Sequence, residues 1–212
     1  MEENRRIFAV GDIHGCHDKL TGLLAKMDWQ PDSGDLLLFL GDYIDRGPHS
    51  YAVVETLLEL IDQDPTNVIT LMGNHEKMFL DFLAGEELPH LFSNGMAATV
   101  SDYCRADREL SADHLMFYRN LRLFYETEDY IFVHAGLMPG KALEEQSLAD
   151  LLWIRDPFLD SGYDFGKTVV FGHTPFKQPL VAPGRLGLDT GAVYGGQLTC
   201  CVLPEMRFIA VD

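Results

Sequence analysis

The sequence predicts an α/β fold: a layer of largely parallel strands with helices packed against it, and a second sheet toward the C-terminus. Three patterns predict it. Short apolar runs alternate with helix-period stretches through the first half of the 212 residues, the last strands stand close together between Gly-rich turns, and the polar residues gather just after strand ends.

The run Ile7–Val10 is short and wholly apolar, as a buried strand is. Leu20, Leu23, Leu24 and Met27 follow at the i, i+3, i+4, i+7 spacing of one helix face, and residues 35–40 make a second strand. Val53, Val54, Leu57, Leu58 and Ile61 mark the next helix. The β-branched run 67–72 is a third strand, and 76–83 a third helix with Phe79 and Phe82 in the core. Between about residues 85 and 120 the strand pattern lapses, and this polar stretch is expected to be a helical cap or insertion. Strands return at 130–134, Thr168–Phe171, 185–189, 197–203 and Arg207–Val211. The closing three are expected to pair antiparallel in the second sheet. With no internal repeat and no dividing linker, residues 1–212 read as a single domain.

Composition removes several classes. With 47% hydrophobic and 23% charged residues the chain matches ordinary globular proteins, and a chain of this length buries roughly 70% of its unfolded surface without staples. Its 33 acidic against 16 basic residues give a net charge of -17, a field that repels nucleic acid and anionic membranes. Cys16, Cys104, Cys200 and Cys201 show no paired zinc spacing, and Cys200 and Cys201 would face opposite sides of a strand. The N-terminus lacks signal-peptide character and no apolar run reaches membrane length, so the expected location is the cytoplasm.

The strands that begin the sheet run into GDIHGC, GDYIDRG and GNHE, and two later strands end in HAG and GHT. Open α/β sheets present their ligand crevice at such ends. Asp12, His14, Asp42, Asp45, Arg46, Asn74, His75, His134 and His173 are thereby brought to one edge. Singly, Asp12 or Asn74 would be a turn or cap residue; five such motifs in one chain make a site. Asp12 and His14 lie two apart, so in extended backbone they would share one side and chelate a cation. Asp42 can bridge two cations, with Asn74, His134 and His173 completing the second set. Two cations held closely can bind a phosphoryl oxygen each and make the water between them a nucleophile at neutral pH. Carboxylates with imidazoles suit manganese, iron, cobalt or zinc better than calcium.

The ordered set GDIHG, GDYIDRG, GNHE, HAG and GHT, over about residues 7–191, resembles the calcineurin-like metallophosphoesterases, and specifically their phosphoprotein phosphatase branch, which includes the compact lambda phage phosphatase. The resemblance implies a two-sheet β-sandwich flanked by helices in four layers, α/β/β/α, and a dinuclear site often loaded with manganese, iron or zinc. It places Asp12, His14 and Asp42 on one metal and Asp42, Asn74, His134 and His173 on the other. It also makes His75 the general acid, held by Asp45, with Arg46 and Arg155 (in LLWIRDP) on the substrate phosphate beside Asn74. One departure is Met72, where many protein phosphatases carry an arginine before GNHE.

The expected activity is metal-dependent hydrolysis of phosphomonoesters by in-line attack of a metal-bridging water. Phosphoserine or phosphothreonine in proteins is the leading substrate, since DRG and GNHE, rather than GNHD, favour that branch. A symmetrical dinucleoside tetraphosphate hydrolase is the alternative, and a non-catalytic scaffold the reading of another class. Expected partners are a phosphorylated protein or a small phosphoester. His17, His49, His90 and His114 match no motif and read as ordinary surface or cap residues; Cys16 reads as a small packed apolar residue.

Overall fold

The computed structural model describes residues 5–86, 92–105 and 110–212. Strands β1 (Ile7–Val10), β2 (Leu36–Phe39) and β3 (Val68–Thr70) pair in parallel, Ile7 opposite Leu36 and Leu37 opposite Val68. Nearly every residue in them is buried, because both faces of the sheet are covered, which is why these strands read as continuous apolar runs rather than alternating ones. Helix α1 (His17–Lys26) seals one face with Leu20 and Leu23, and α2 (Ser50–Gln63) with Val53, Val54, Leu57 and Leu60. Helix α3 (Asn74–Leu83) leaves the end of the third strand, and α4 (Met96–Tyr103) and α5 (Ala112–Asn120) form the expected helical insertion; its residues 87–91, with His90, and 106–109 lie outside the described ones.

The second half supplies β4 (Phe124–Glu126), β5 (Tyr130–Val133), helices α6 (Leu148–Trp153) and α7 (Asp156–Leu159), then β6 (Thr168–Phe171), β7 (Leu180–Ala182), β8 (Arg185–Gly187), β9 (Leu198–Leu203) and β10 (Arg207–Val211). The closing strands correct the sequence reading. β9 and β10 do form an antiparallel hairpin, but it extends the first sheet, with β9 antiparallel to β1, in the order β10-β9-β1-β2-β3. All six β9 residues are buried, because the strand lies between β10 and β1 with both of its faces covered. The second sheet is β4-β5-β6-β8-β7, where β8 runs parallel to β6. Its edge strands β4 and β7 escape sequence patterning because each is three residues long and only partly covered.

The sheets pack face to face. Ile7, Ala9, Leu36, Leu38, Cys201 and Leu203 from the first meet Phe132, Val170 and Leu186 from the second, while Cys200 turns to the helical side as alternation requires. Fully burying each large side chain contributes about 1.5–3 kcal/mol. This dry interface fixes the spacing between the two sets of strand ends. No described helix is long and apolar enough to cross a membrane.

Candidate metal centre and acid dyad

The carboxyl ends of β1, β2 and β3 in one sheet and of β5, β6 and β8 in the other meet at one edge. Backbone bonds stitch them: His173 N–H donates to Asp12 Oδ2 (2.9 Å), Gly172 N–H to the His134 carbonyl (2.8 Å) and Phe176 N–H to the Asp189 carbonyl (2.9 Å). All nine motif residues reach this edge. His14, Asp42, Asp45, Arg46 and His173 have positive φ, from +47° to +71°. Non-glycine residues in such conformations cost about 1–3 kcal/mol each and persist only where surroundings over-determine them. Glycine is required where backbone crowds a carboxylate: a Cβ on Gly172 would lie 2.0 Å from Asp12 Oδ1, and one on Gly73 2.2 Å from Asp42 Oδ1.

Asp42 stands between the histidines, Oδ2 3.4 Å from His14 Nε2 and Oδ1 3.4 Å from His134 Nε2. His14 donates its Nδ1 proton to the Ile44 carbonyl (2.8 Å), and His134 donates its own to the Leu40 carbonyl (2.9 Å). Those bonds fix the tautomers and turn both Nε2 lone pairs inward, as in a metal-binding imidazole held by a carbonyl behind it. Asn74 Oδ1 lies 2.9 Å from His134 Nε2 and from His173 Nδ1. Around His134 Nε2, therefore, acceptor atoms converge with no proton to place between them. Asp12 Oδ1 is buried and unpartnered. This is the donor set a divalent cation satisfies, and two groupings, His14 with Asp42 and His75, and Asp42 with His134 and His173, could each hold one.

Burial pushes His14 and His173 down to about 3 and His134 in the same direction, against the pull of Asp42, so all three stay in the uncharged form that binds cations. Asp42 is itself held below the usual carboxylate range: burial opposes its ionisation, and the attraction between its negative charge and the protonated forms of the histidines around it outweighs that. His75 moves the other way. Burial lowers it, but Asp42 and a 2.6 Å bond from Nδ1 to Asp45 Oδ2 more than offset this, and it ends above the ordinary histidine value. Buried imidazoles at one edge are thus sorted into three lone-pair donors and one proton carrier.

Three groups to which the sequence reading gave no place in the site hold this arrangement. Thr99, on the helical insertion, donates to Asp45 Oδ1 (2.6 Å) and accepts from Asp45 N–H (2.8 Å). Glu76 accepts four backbone N–H groups, those of Asp42 (2.9 Å), Tyr43 (2.8 Å), Ile44 (3.3 Å) and Gly73 (3.0 Å), tying the loop after β2 to the start of α3. Nothing local points to Thr99, whereas Glu76 has a local signal, an acid three residues after the helix N-cap. Asp189, at the end of β8, is pushed up to about 6 by burial and by Asp42, against a bond from the Gly191 N–H; its glycine-flanked DTG segment after a strand was the available sign.

Several expectations change. The backbone at His14 is left-handed rather than extended, with Nδ1 on the Ile44 carbonyl, while Asp12 Oδ2 accepts from the His173 N–H, so the extended-backbone argument for the pair does not apply here. Met72 is buried in the main core and its N–H donates to the Arg122 carbonyl (2.7 Å), so the place of the missing arginine faces the interior. His114 is no surface residue; it is buried in the insertion between Tyr103 and Glu55. His49 is exposed, His17 bonds Thr56, and Cys16 packs partly buried against the core. Arg46 Nη1 donates to His14 Nε2, and Arg155, an exposed residue, donates from Nε to His173 Nε2 (3.2 Å).

Residues 5–201 match the calcineurin-like phosphoesterase family. The chain belongs to that family. Among phosphoesterases of known sequence, the asymmetrical bis(5'-nucleosyl)-tetraphosphatase PrpE of Anoxybacillus flavithermus is 29% identical over 231 residues, covering 95% of this chain and 92% of that one. A solved structure described as that of a candidate diadenosine tetraphosphatase superposes with a TM-score of 0.75 at 25% identity, covering 98% of this chain and 93% of that one. A serine/threonine phosphatase from Saccharomyces cerevisiae shares the fold, with a TM-score of 0.65 at 18% identity over 98% of this chain and 79% of that one. The protein is a metallophosphoesterase with the family's two-sheet α/β sandwich.

Proposed function

We propose that the protein hydrolyses dinucleoside tetraphosphates asymmetrically, giving a nucleoside triphosphate and a nucleoside monophosphate, with two divalent cations, manganese by preference and iron, zinc or cobalt as substitutes. The observation that carries the substrate is the similarity to the PrpE tetraphosphatase, which runs through 95% of this chain. Asp12, His14 and Asp42 would hold one cation, and Asp42, Asn74, His134 and His173 the other. Bound there, the pair supplies charge neutralisation for phosphoryl oxygens and lowers the pKa of water to near neutrality.

The chain's own side chains divide the remaining work. His75, protonated and held at Nδ1 by Asp45, presents its Nε2 proton to the leaving oxygen. Arg46 and Arg155 leave their histidine partners for the substrate phosphates, and the exchange costs little because phosphate is the stronger acceptor. Asn74 orders both imidazoles and lies within reach of the same phosphate.

Phosphoserine or phosphothreonine in proteins is the second reading, favoured by GNHE and by the DRG segment. Glu76 weakens that support. It is spent on four backbone N–H groups, so its identity reports how two loops are joined rather than what is hydrolysed. Symmetrical cleavage is the third. Initial rates of the manganese-loaded protein on diadenosine tetraphosphate, phosphoserine peptides and para-nitrophenyl phosphate, with products separated by chromatography, decide among them. The expected result is highest kcat/KM on the dinucleotide with ATP and AMP as products. Two molecules of ADP would mean symmetrical cleavage, and higher kcat/KM on phosphopeptides would establish the protein phosphatase reading.

A further inference from the structure

We infer that Tyr194 and Trp153 are nucleobase platforms, one at each end of the candidate metal centre. The inference deepens the dinucleoside tetraphosphate reading and takes its substrate class from it. Both rings are unusually open, Trp153 at 45% and Tyr194 at 64% exposure, although large aromatic side chains gain most from burial. Both touch the site. The Trp153 ring lies 6.0 Å from that of His173, edge to face at 83°, and the Arg46 guanidinium lies 5.5 Å from the centre of the Tyr194 ring.

Each platform comes with a cation that reaches a different part of the centre. Arg46 links Tyr194 to His14, and Arg155, two residues beyond Trp153, bonds His173. An aromatic plane beside an arginine fits a nucleotide, stacking the base while the guanidinium meets the phosphate. Two such pairs, with the metal groupings between them, match a molecule with phosphates in its middle and a base at each end.

The backbone beneath both rings is well tied. Tyr194 closes the short turn Ala192–Tyr194 between Gly191 and Gly195, whose φ values of +71° and +85° only glycine adopts freely. Asp189 Oδ1 holds the Gly191 N–H (2.9 Å), and Thr190 donates to the Gln197 carbonyl (2.6 Å). Trp153 ends α6, which is capped by Ser147 and anchored by buried Leu151 and Leu152. A fixed plane stacks a base without the cost of first ordering it.

The test compares KM for diadenosine tetraphosphate and for O-phosphoserine, which has no base, in the manganese-loaded full chain. Trp153→Ala and Tyr194→Ala should each raise KM for the dinucleotide roughly 5- to 150-fold, and by at least about fivefold more than for O-phosphoserine, with Trp153→Phe and Tyr194→Phe recovering most of it. Equal losses on both substrates, or none, would overturn the inference. A binding experiment keeps it separate from the substrate reading. Trp29 is buried, so AMP should quench the fluorescence of Trp153, and the Trp153→Phe protein should lose that quenching. If the wild type fails to hydrolyse the dinucleotide, the substrate reading falls, and quenching by AMP still decides the platform at Trp153: its presence supports the platform and its absence removes it.

Discussion

Replacing Glu76 by glutamine keeps the side chain's shape and turns one acceptor oxygen into an amide donor. Oε2 accepts from Asp42 and Gly73 N–H, and Oε1 from Tyr43 and Ile44 N–H. Whichever way the amide turns, two backbone donors then face an NH2 group and the charge that strengthened the other two bonds is gone. Burial and Asp42 push the Glu76 carboxyl up to about 8. All four neighbours are donors, however, and a proton on either oxygen would have no acceptor to face, so the bonds require the carboxylate. A hydrogen bond to a charged group contributes about 1.5–3 kcal/mol, so losing two costs about 3–6 kcal/mol, a large share of the 5–15 kcal/mol that holds a typical domain together. At about 2–4 °C per kcal/mol for a chain of this size, Glu76→Gln should lower Tm by about 6–24 °C in calorimetry of the metal-free protein. Saturating manganese should restore part of the loss by binding only the folded state. A Tm within about 2 °C of wild type would refute the four-bond account and mean that Glu76 carries a proton in the folded chain.

His75→Asn should lower kcat roughly 10²- to 10⁴-fold for alkyl phosphates and far less for para-nitrophenyl phosphate, whose leaving oxygen is stable as an anion, with metal content unchanged; equal losses would give His75 a metal-positioning role. Thr99→Val removes the hydroxyl that orients Asp45 and should cost up to roughly 10- to 100-fold on the same alkyl substrates, with Thr99→Ser restoring it; activity equal to wild type in the valine variant would show that Asp45 needs no such support. His14 and His173, at about 3 when folded against about 6.5 unfolded, take up protons on unfolding, so their contribution is present above pH 6.5 and is lost as pH falls toward 3. The urea midpoint of metal-free wild type should therefore drop more steeply over this window than that of His173→Asn, and parallel curves would contradict the uncharged imidazole. Asp12 and Asp189, raised by burial, act in the opposite sense in both proteins.

The sequence made the parallel core and the chemical edge legible because both rest on local patterns. Ile7–Val10 and Leu36–Phe39 are apolar throughout since both faces are covered, and the motif residues follow strands whose ends any open sheet exposes. What escaped depends on partners distant in sequence. Nothing near Thr99 indicates that it will meet Asp45, 54 positions away. Nothing near Leu198–Leu203 says that the strand lies beside β1 rather than beside β8. The left-handed backbone at His14, Asp42, Asp45, Arg46 and His173 contradicts local propensity and is imposed by bonds such as His14 N–H to the Asp42 carbonyl (2.8 Å), which no local pattern announces. His114 looked peripheral because its polar partners, Glu55 and Tyr103, come from other helices.

The central claim is that this edge works with two cations. Stripping the protein with a chelator and titrating manganese back, while following diadenosine tetraphosphate hydrolysis and bound metal by mass spectrometry, tests it directly. The account predicts that the stripped protein is nearly inactive, that activity reaches its plateau at two manganese ions per chain, and that Asp42→Ala, which removes the carboxylate between both groupings, binds neither ion tightly. Full activity in the exhaustively stripped protein would contradict it.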